Sequence, residues 1–210
     1  FVASLLSGSL LDAATGSGSM SEKLVHLSNH LALARTSILI ELVTSVGIVA
    51  LAALLYLVFH RQNPVLALVA LGWWLAEAVL LAASKIGAFA LIPLSLEYVQ
   101  AGAPEPSFLL TLGDFFYSGL DRQGWTLHML FFCLGGILWY IQFFKSRAIP
   151  RVLSAWGVVS VSLVLINTLI KLYDRSFEFI MPMLAPYLLF EGLIGPWLIV
   201  KGVREGRKAG

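Results

Sequence analysis

The segment PVLALVALGWWLAEAVLLAASKIGAFALI, Pro64 to Ile92, is an apolar run with one carboxylate, Glu77, near its middle. An α-helix rises about 1.5 Å per residue, so roughly twenty residues cross the hydrocarbon of a bilayer. A charge at that depth is unfavourable unless it faces other helices or a wet cavity. The run therefore predicts a membrane span, and the span predicts a helical bundle built around a polar spot. Composition agrees. Hydrophobic residues make up 59% of the chain and charged residues only 12%. Soluble domains carry about a quarter charged residues. So little charge cannot cover a surface facing water, and lipid is the expected solvent. The net charge of +2 is too small to predict a nucleic-acid partner. A single cysteine, Cys133, excludes an intramolecular disulfide and any cysteine-based metal motif.

The expected architecture is an all-α polytopic membrane bundle in one domain, residues 1–210, with six transmembrane helices. Residues 1–11, FVASLLSGSLL, read as the end of a truncated first span; the rival reading is the tail of a signal peptide. Residues 12–36 read as a polar connection carrying one short helix. Ser19 and Glu22 fit a capping box, and Leu24, Leu27, Leu31 and Ala34 follow at helical spacing. That stripe suits an interfacial helix. Further spans are expected at 38–59, 64–92, 125–144, 152–171 and 179–200, with a basic tail at 201–210. Gly72, Ala76, Ala83 and Gly87 predict a small-residue face for close helix approach. Pro93 to Gln123 is the longest polar connection, with a second interfacial segment at Ser107 to Tyr117.

Charge sets the expected sidedness. One set of turns holds Arg61, Lys145, Arg147, Arg151, Lys201, Arg204, Arg207 and Lys208 against a single acid, Glu205. The opposite connections are longer and acidic. The positive-inside rule puts the basic turns and both termini in the cytoplasm, with the protein in the inner membrane. The expected partners are the bilayer, anionic lipid headgroups at the basic side, and other membrane subunits or a second copy.

Few residues are candidates for chemistry. Glu77 and Glu191 lie inside apolar spans, where a carboxylate needs a proton or a partner. They could relay a proton or cation, or anchor a ligand amine; the plain alternative is a hydrogen bond that fixes helix packing. Glu41, Lys85, His128, Asn167 and Lys171 lie toward the outer ends of their spans and could line an outward polar cavity. The alternative there is local snorkelling. Glu22, His26 and His30 recur at i, i+4 and i+8, which puts three metal-ligand types on one helical face. Solvated histidines are the bland reading of that face. No cofactor is predicted: His128 is the only histidine placed within a span, which leaves no bis-histidine haem pair.

Three stretches carry a resemblance. FFCLGGILWYIQFFKSRAIPRVLSAWGVV, PYLLFEGLIGPWLIVKGVR with its Glu191, Lys201 and Gly202, and WWLAEAVLL with its Glu77 resemble a bacterial membrane family catalogued as domain of unknown function forty-three eighty-six. The resemblance implies six helices and no established activity. The expected function is a non-catalytic subunit, accessory or scaffold of a membrane assembly. The alternatives are a small-solute or ion transporter using Glu77 and Glu191, and an outward-facing metal-dependent hydrolase.

Overall fold

The computed structural model describes residues 2–105, 107–174, 176–177 and 180–202. The described residues form helices and no strands. In chain order these are α1 (Val2–Thr15), α2 (Met20–Asn29), α3 (Leu31–Phe59), α4 (Pro64–Gln100), α5 (Phe108–Asp114), a π-helix (Phe115–Arg122), α6 (Gln123–Ser146), α7 (Arg151–Tyr173) and α8 (Met181–Lys201). Among the described residues, five stretches are long and apolar enough to cross a membrane: α3, α4, the run Phe108–Ser146, α7, and Pro182–Lys201 within α8. Their outward faces carry large aliphatic side chains. Val43 and Val46 on α3 are 72% and 71% exposed, and Ile199 on α8 is 86% exposed. Apolar surface of that extent marks contact with lipid. The chain is a multi-pass membrane protein.

The residues gather into two compact units. The first comprises Phe1–Gly47 and Ala78–Leu127, the second Ile48–Glu77 and His128–Gly210.

The first unit has a core built from α1, α2, α3 and α4. Leu11, Ala14, Leu24, Leu27, Ala34, Ile38, Leu91 and Tyr98 are buried together in it. Helix α2 starts with the expected capping box: Ser19 N–H donates to Glu22 Oε2 at 2.7 Å, and Glu22 N–H donates to Ser19 Oγ at 3.3 Å. Gly18 makes the box possible. Its φ is +111°, and a Cβ there would lie 2.1 Å from Glu22 Oε2. The stripe expected on a single helix is divided. Leu24 and Leu27 belong to α2, but His30 ends that helix, and Leu31 and Ala34 open α3. Leu24 and Leu27 face the protein core. Helices α1 and α3 are tied reciprocally: Ser7 Oγ donates to the Ser37 carbonyl at 2.9 Å, and Ser37 Oγ donates to the Ser7 carbonyl at 2.8 Å.

Helix α4 does not stop at Ile92. It runs through Pro93 to Gln100. A proline removes one helical donor and kinks the chain, but packing can hold the helix across it. Ile92, Leu94 and Tyr98 are buried in the core on either side of Pro93. Ser21 and Tyr98 share a 2.8 Å hydroxyl contact that ties α2 to this extension. The expected small-residue face is also displaced. Gly72 and Ala83 are exposed, whereas Trp74, Glu77, Ala78, Leu81, Ser84, Lys85 and Ala88 form the buried stripe. Of the glycines in the expected face, Gly87 is the one in close contact.

The second unit is held by aromatic packing. Phe59 and Phe143 meet edge to face at 4.7 Å, Tyr140 and Phe190 at 4.9 Å, and Phe132 and Tyr187 at 5.2 Å. Such pairs add to the gain from burying apolar area. Trp74 Nε1 donates to the Phe132 carbonyl at 3.2 Å, which links α4 to α6. Gly135 leaves room for that indole; a Cβ there would lie 2.3 Å from Trp74 Cδ1. At the turn before α4, Asn63 Oδ1 accepts from Leu66 N–H at 3.0 Å and caps the helix that opens at Pro64. The basic tail residues Arg204, Arg207 and Lys208, with Glu205, lie outside the described residues, as do Arg175 and Pro106.

Candidate functional site

Each unit holds one polar centre. In the first, α1, α3, α4, the π-helix and α6 enclose a cleft of about 180 Å³. It is lined by Ser4, Leu5, Gly8, Ser9, Asp12, Glu41, Lys85, Asp121, Arg122 and Trp125. Lys85 Nζ and Asp121 Oδ1 form an ion pair at 2.7 Å, both side chains being almost wholly buried. Arg122 pairs with Asp12 through Nη2 and lies 3.8 Å from Asp121 Oδ2 through Nε. Its Nη2 also donates to Tyr117 Oη at 3.0 Å, and its guanidinium stacks over the Tyr117 ring at 4.9 Å. Tyr117 in turn donates to Asp12 Oδ1 at 3.2 Å.

Close backbone approach brings Asp121 to Lys85. A Cβ on Gly87 would lie 2.3 Å from the Phe116 carbonyl oxygen and 2.8 Å from Asp121 N. A Cβ on Gly124 would lie 2.7 Å from Ser84 Cβ. Gly87 thus lets the Phe115–Arg122 segment rest directly on α4, and Gly124 does the same for the start of α6. Its π-helical winding shifts Asp121 out of α-helical register, and such local rewinding recurs at functional sites.

Glu41 is buried at the wall of this cleft, with 0% exposure. Neither of its carboxylate oxygens accepts a hydrogen bond. The Ser4 and Ser7 hydroxyls neighbour it, and the Lys85 charge acts on it. The Ser7 proton is already given to the Ser37 carbonyl, and the Lys85 ammonium is held by Asp121.

The second unit gathers Glu77, Glu191, Cys133, Tyr140, Thr168 and Tyr187. The Tyr140 and Tyr187 hydroxyls lie 3.0 Å apart and join α6 to α8. The Glu191 charge acts on Glu77, and both acids act on the two phenols. The Cys133 thiol meets the Thr168 hydroxyl and feels Glu77. Glu77 is only 3% exposed, and its Oε2 accepts no hydrogen bond.

The residues expected toward the outer ends of the spans fall in both units. Glu41 and Lys85 share the cleft of the first unit, whereas His128, Asn167 and Lys171 belong to the second. Asn167 exchanges two 3.4 Å hydrogen bonds with the Ile180 backbone, and Lys171 Nζ donates to the Phe177 carbonyl. Both secure the connection from α7 to α8. His128 is buried in the second unit.

The ligand types Glu22, His26 and His30 do not converge. Glu22 is engaged in the capping box. His26 Nδ1 donates to the Ala14 carbonyl at 3.0 Å, and His30 Nδ1 donates to the His26 carbonyl at 2.8 Å. The two imidazoles stack with centroids 4.0 Å apart. Among the described residues no set of three potential ligands is gathered for a metal.

Sequence reasoning missed Asp12, Asp121, Arg122 and Trp125 in the cleft, and the tyrosine pair in the second unit. A buried lysine demands an acid, which was a signal that Lys85 had a partner. Nothing in the spacing pointed to Asp121.

No curated protein and no solved structure matches the chain. A family model matches residues 1–202, and the chain therefore belongs to the family described as domain of unknown function (DUF4386).

Proposed function

We propose that this protein is a non-catalytic component of an inner-membrane assembly, with both termini in the cytoplasm and the acidic connections outside. The observation that carries this reading is the Tyr140–Tyr187 hydroxyl contact beside Glu77 and Glu191. It spends polar groups on joining α6 to α8. The Trp74 bond to the Phe132 carbonyl and the Asn167 bonds to Ile180 do the same for α4 with α6 and α7 with α8. Interhelical polar ties of this kind stabilise packing in a bilayer. The basic turns at Arg61 and at Lys145 to Arg151 support the sidedness.

One observation favours a second reading, a proton-linked carrier. Glu77 and Glu191 lie close enough to interact, and a relayed proton needs such successive carboxylates. Proteoliposomes separate the two readings. A scaffold gives proton flux no higher than protein-free vesicles, and it is recovered from mild detergent with a second copy or a partner. Flux that requires the protein and is abolished by Glu77→Gln or Glu191→Gln, with the fold intact, overturns the scaffold reading in favour of the carrier.

A further inference from the structure

We propose that the cleft of the first unit is a binding site for a primary ammonium group, received by Glu41. The charges in the cleft are nearly spent on one another. Lys85 is held by Asp121, and Arg122 by Asp12. Three acids against two cations leave one acid without a counter-charge, and Glu41 is the acid whose oxygens have no hydrogen-bond partner. A buried carboxylate without hydrogen bonds is costly, and a donor-rich cation relieves that cost.

The chemistry selects the ligand. An anion would have to displace Asp121 from Lys85 or Asp12 from Arg122. A hard divalent cation wants about six oxygen ligands, and among the described residues no metal-ligating set gathers. A primary ammonium has three donors. Glu41 offers two acceptor oxygens, and the Ser4 hydroxyl beside it offers another. The indole of Trp125 also lines the cleft, and an aromatic wall suits a cation. The volume, about 180 Å³, is roughly the liquid share of six waters. That admits a small alkylammonium or the end of a lipid headgroup.

Such an ammonium could come from an aminophospholipid or from a free amine. The test uses the full purified chain. In detergent, ethylammonium chloride should raise the unfolding temperature saturably, by about 5 °C or more at a hundredfold excess over half-saturation. Tetramethylammonium chloride at equal ionic strength has no N–H donor and should give no saturable rise. Glu41→Gln should abolish the ethylammonium response while keeping helical circular dichroism. The comparison of the two salts on the unaltered chain stands even if that variant fails to fold. Native mass spectrometry from nanodiscs then identifies the source. Retention of phosphatidylethanolamine over phosphatidylcholine supports the lipid; an ethylammonium response with no retained lipid supports the free amine. Equal responses to the two salts, an unchanged response in folded Glu41→Gln, or no saturable response to either salt together with no lipid preference overturns the proposal.

Discussion

Lys85 and Glu77 lie about two turns apart on the same helix, yet they belong to different units and are accommodated differently. Lys85 is neutralised by an acid from the π-helix, in a centre that reaches solvent through Asp12 and Arg122. Glu77 is placed among phenols, a thiol and a second acid. The first centre depends on opposite charges at contact distance. The second depends on hydroxyl contacts between closely packed helices. The same polar residue class therefore has a different consequence when it is removed from each.

The largest expected effect is Lys85→Met. It leaves Asp121 buried with its main counter-charge gone, a change that typically costs about 3–5 kcal/mol. Adding Asp121→Leu should recover most of the loss, because a buried pair replaced by apolar groups is often neutral. Glu77→Gln keeps shape and hydrogen-bonding capacity, and should cost about 1 kcal/mol. Thermal unfolding in one detergent measures all three. Equal losses from Lys85→Met and Glu77→Gln would erase the distinction between the centres.

Glycine substitutions sharpen it next. Gly87→Ala drives a methyl into the Phe116 carbonyl and Asp121 N, both backbone atoms. Overpacking of this kind costs about 1–3 kcal/mol, and it should also separate Lys85 from Asp121. Gly157→Ala meets the rings of Phe190 at 2.8 Å and Tyr140 at 3.0 Å. Rings can shift, so the loss should be smaller. Gly72→Ala meets nothing within 4 Å and should gain up to about 1 kcal/mol from helix propensity. The same unfolding series ranks them; Gly157→Ala falling below Gly87→Ala in stability would contradict the contrast.

The tyrosine contact is weaker. Tyr140→Phe removes one hydroxyl from a buried pair and should cost about 1 kcal/mol. Tyr187→Phe on top of it should cost less than it does alone, since the partner is already gone. A double-mutant cycle reads that coupling directly, and strict additivity would mean that the hydroxyls do not act as a pair.

Hydropathy made the long apolar helices legible, because the bilayer requirement acts on composition over roughly twenty residues. The Ser19–Glu22 box was legible because capping is local in sequence. Pro93 misled, since the force that carries α4 through it comes from core residues on other helices. The small-residue face failed for a related reason. Gly72 and Gly87 share a helical face in sequence, but only Gly87 meets another backbone. In the cleft, Glu41 and Lys85 could be named because charges in apolar runs stand out. Asp121 and Arg122 could not, because they lay in a stretch that reads as a connection. Their placement depends on a π-helix and on the Gly87 contact, neither of which has a local sequence signature.

The smallest expected effect lies outside both centres, where the two units use one device. In the first unit the Ser19 amide and then the Ser19 hydroxyl hold the Glu22 carboxyl below its ordinary range. In the second, the Ser176 hydroxyl and then its amide do the same for Asp174, at 2.6 Å and 2.9 Å. A lowered folded value means that the ionised form is favoured by folding. That contribution is complete above the ordinary carboxylate range and is lost as pH falls through the lowered value. Acidification should therefore weaken amide protection at the start of α2 and after α7 together. Glu22→Gln should remove the pH dependence at α2 and leave that after α7 unchanged, as read by hydrogen exchange at matched intrinsic rates. If acid instead loosened the cleft helices before these caps, the buried ion pairs, not the exposed turns, would set the acid limit of the fold.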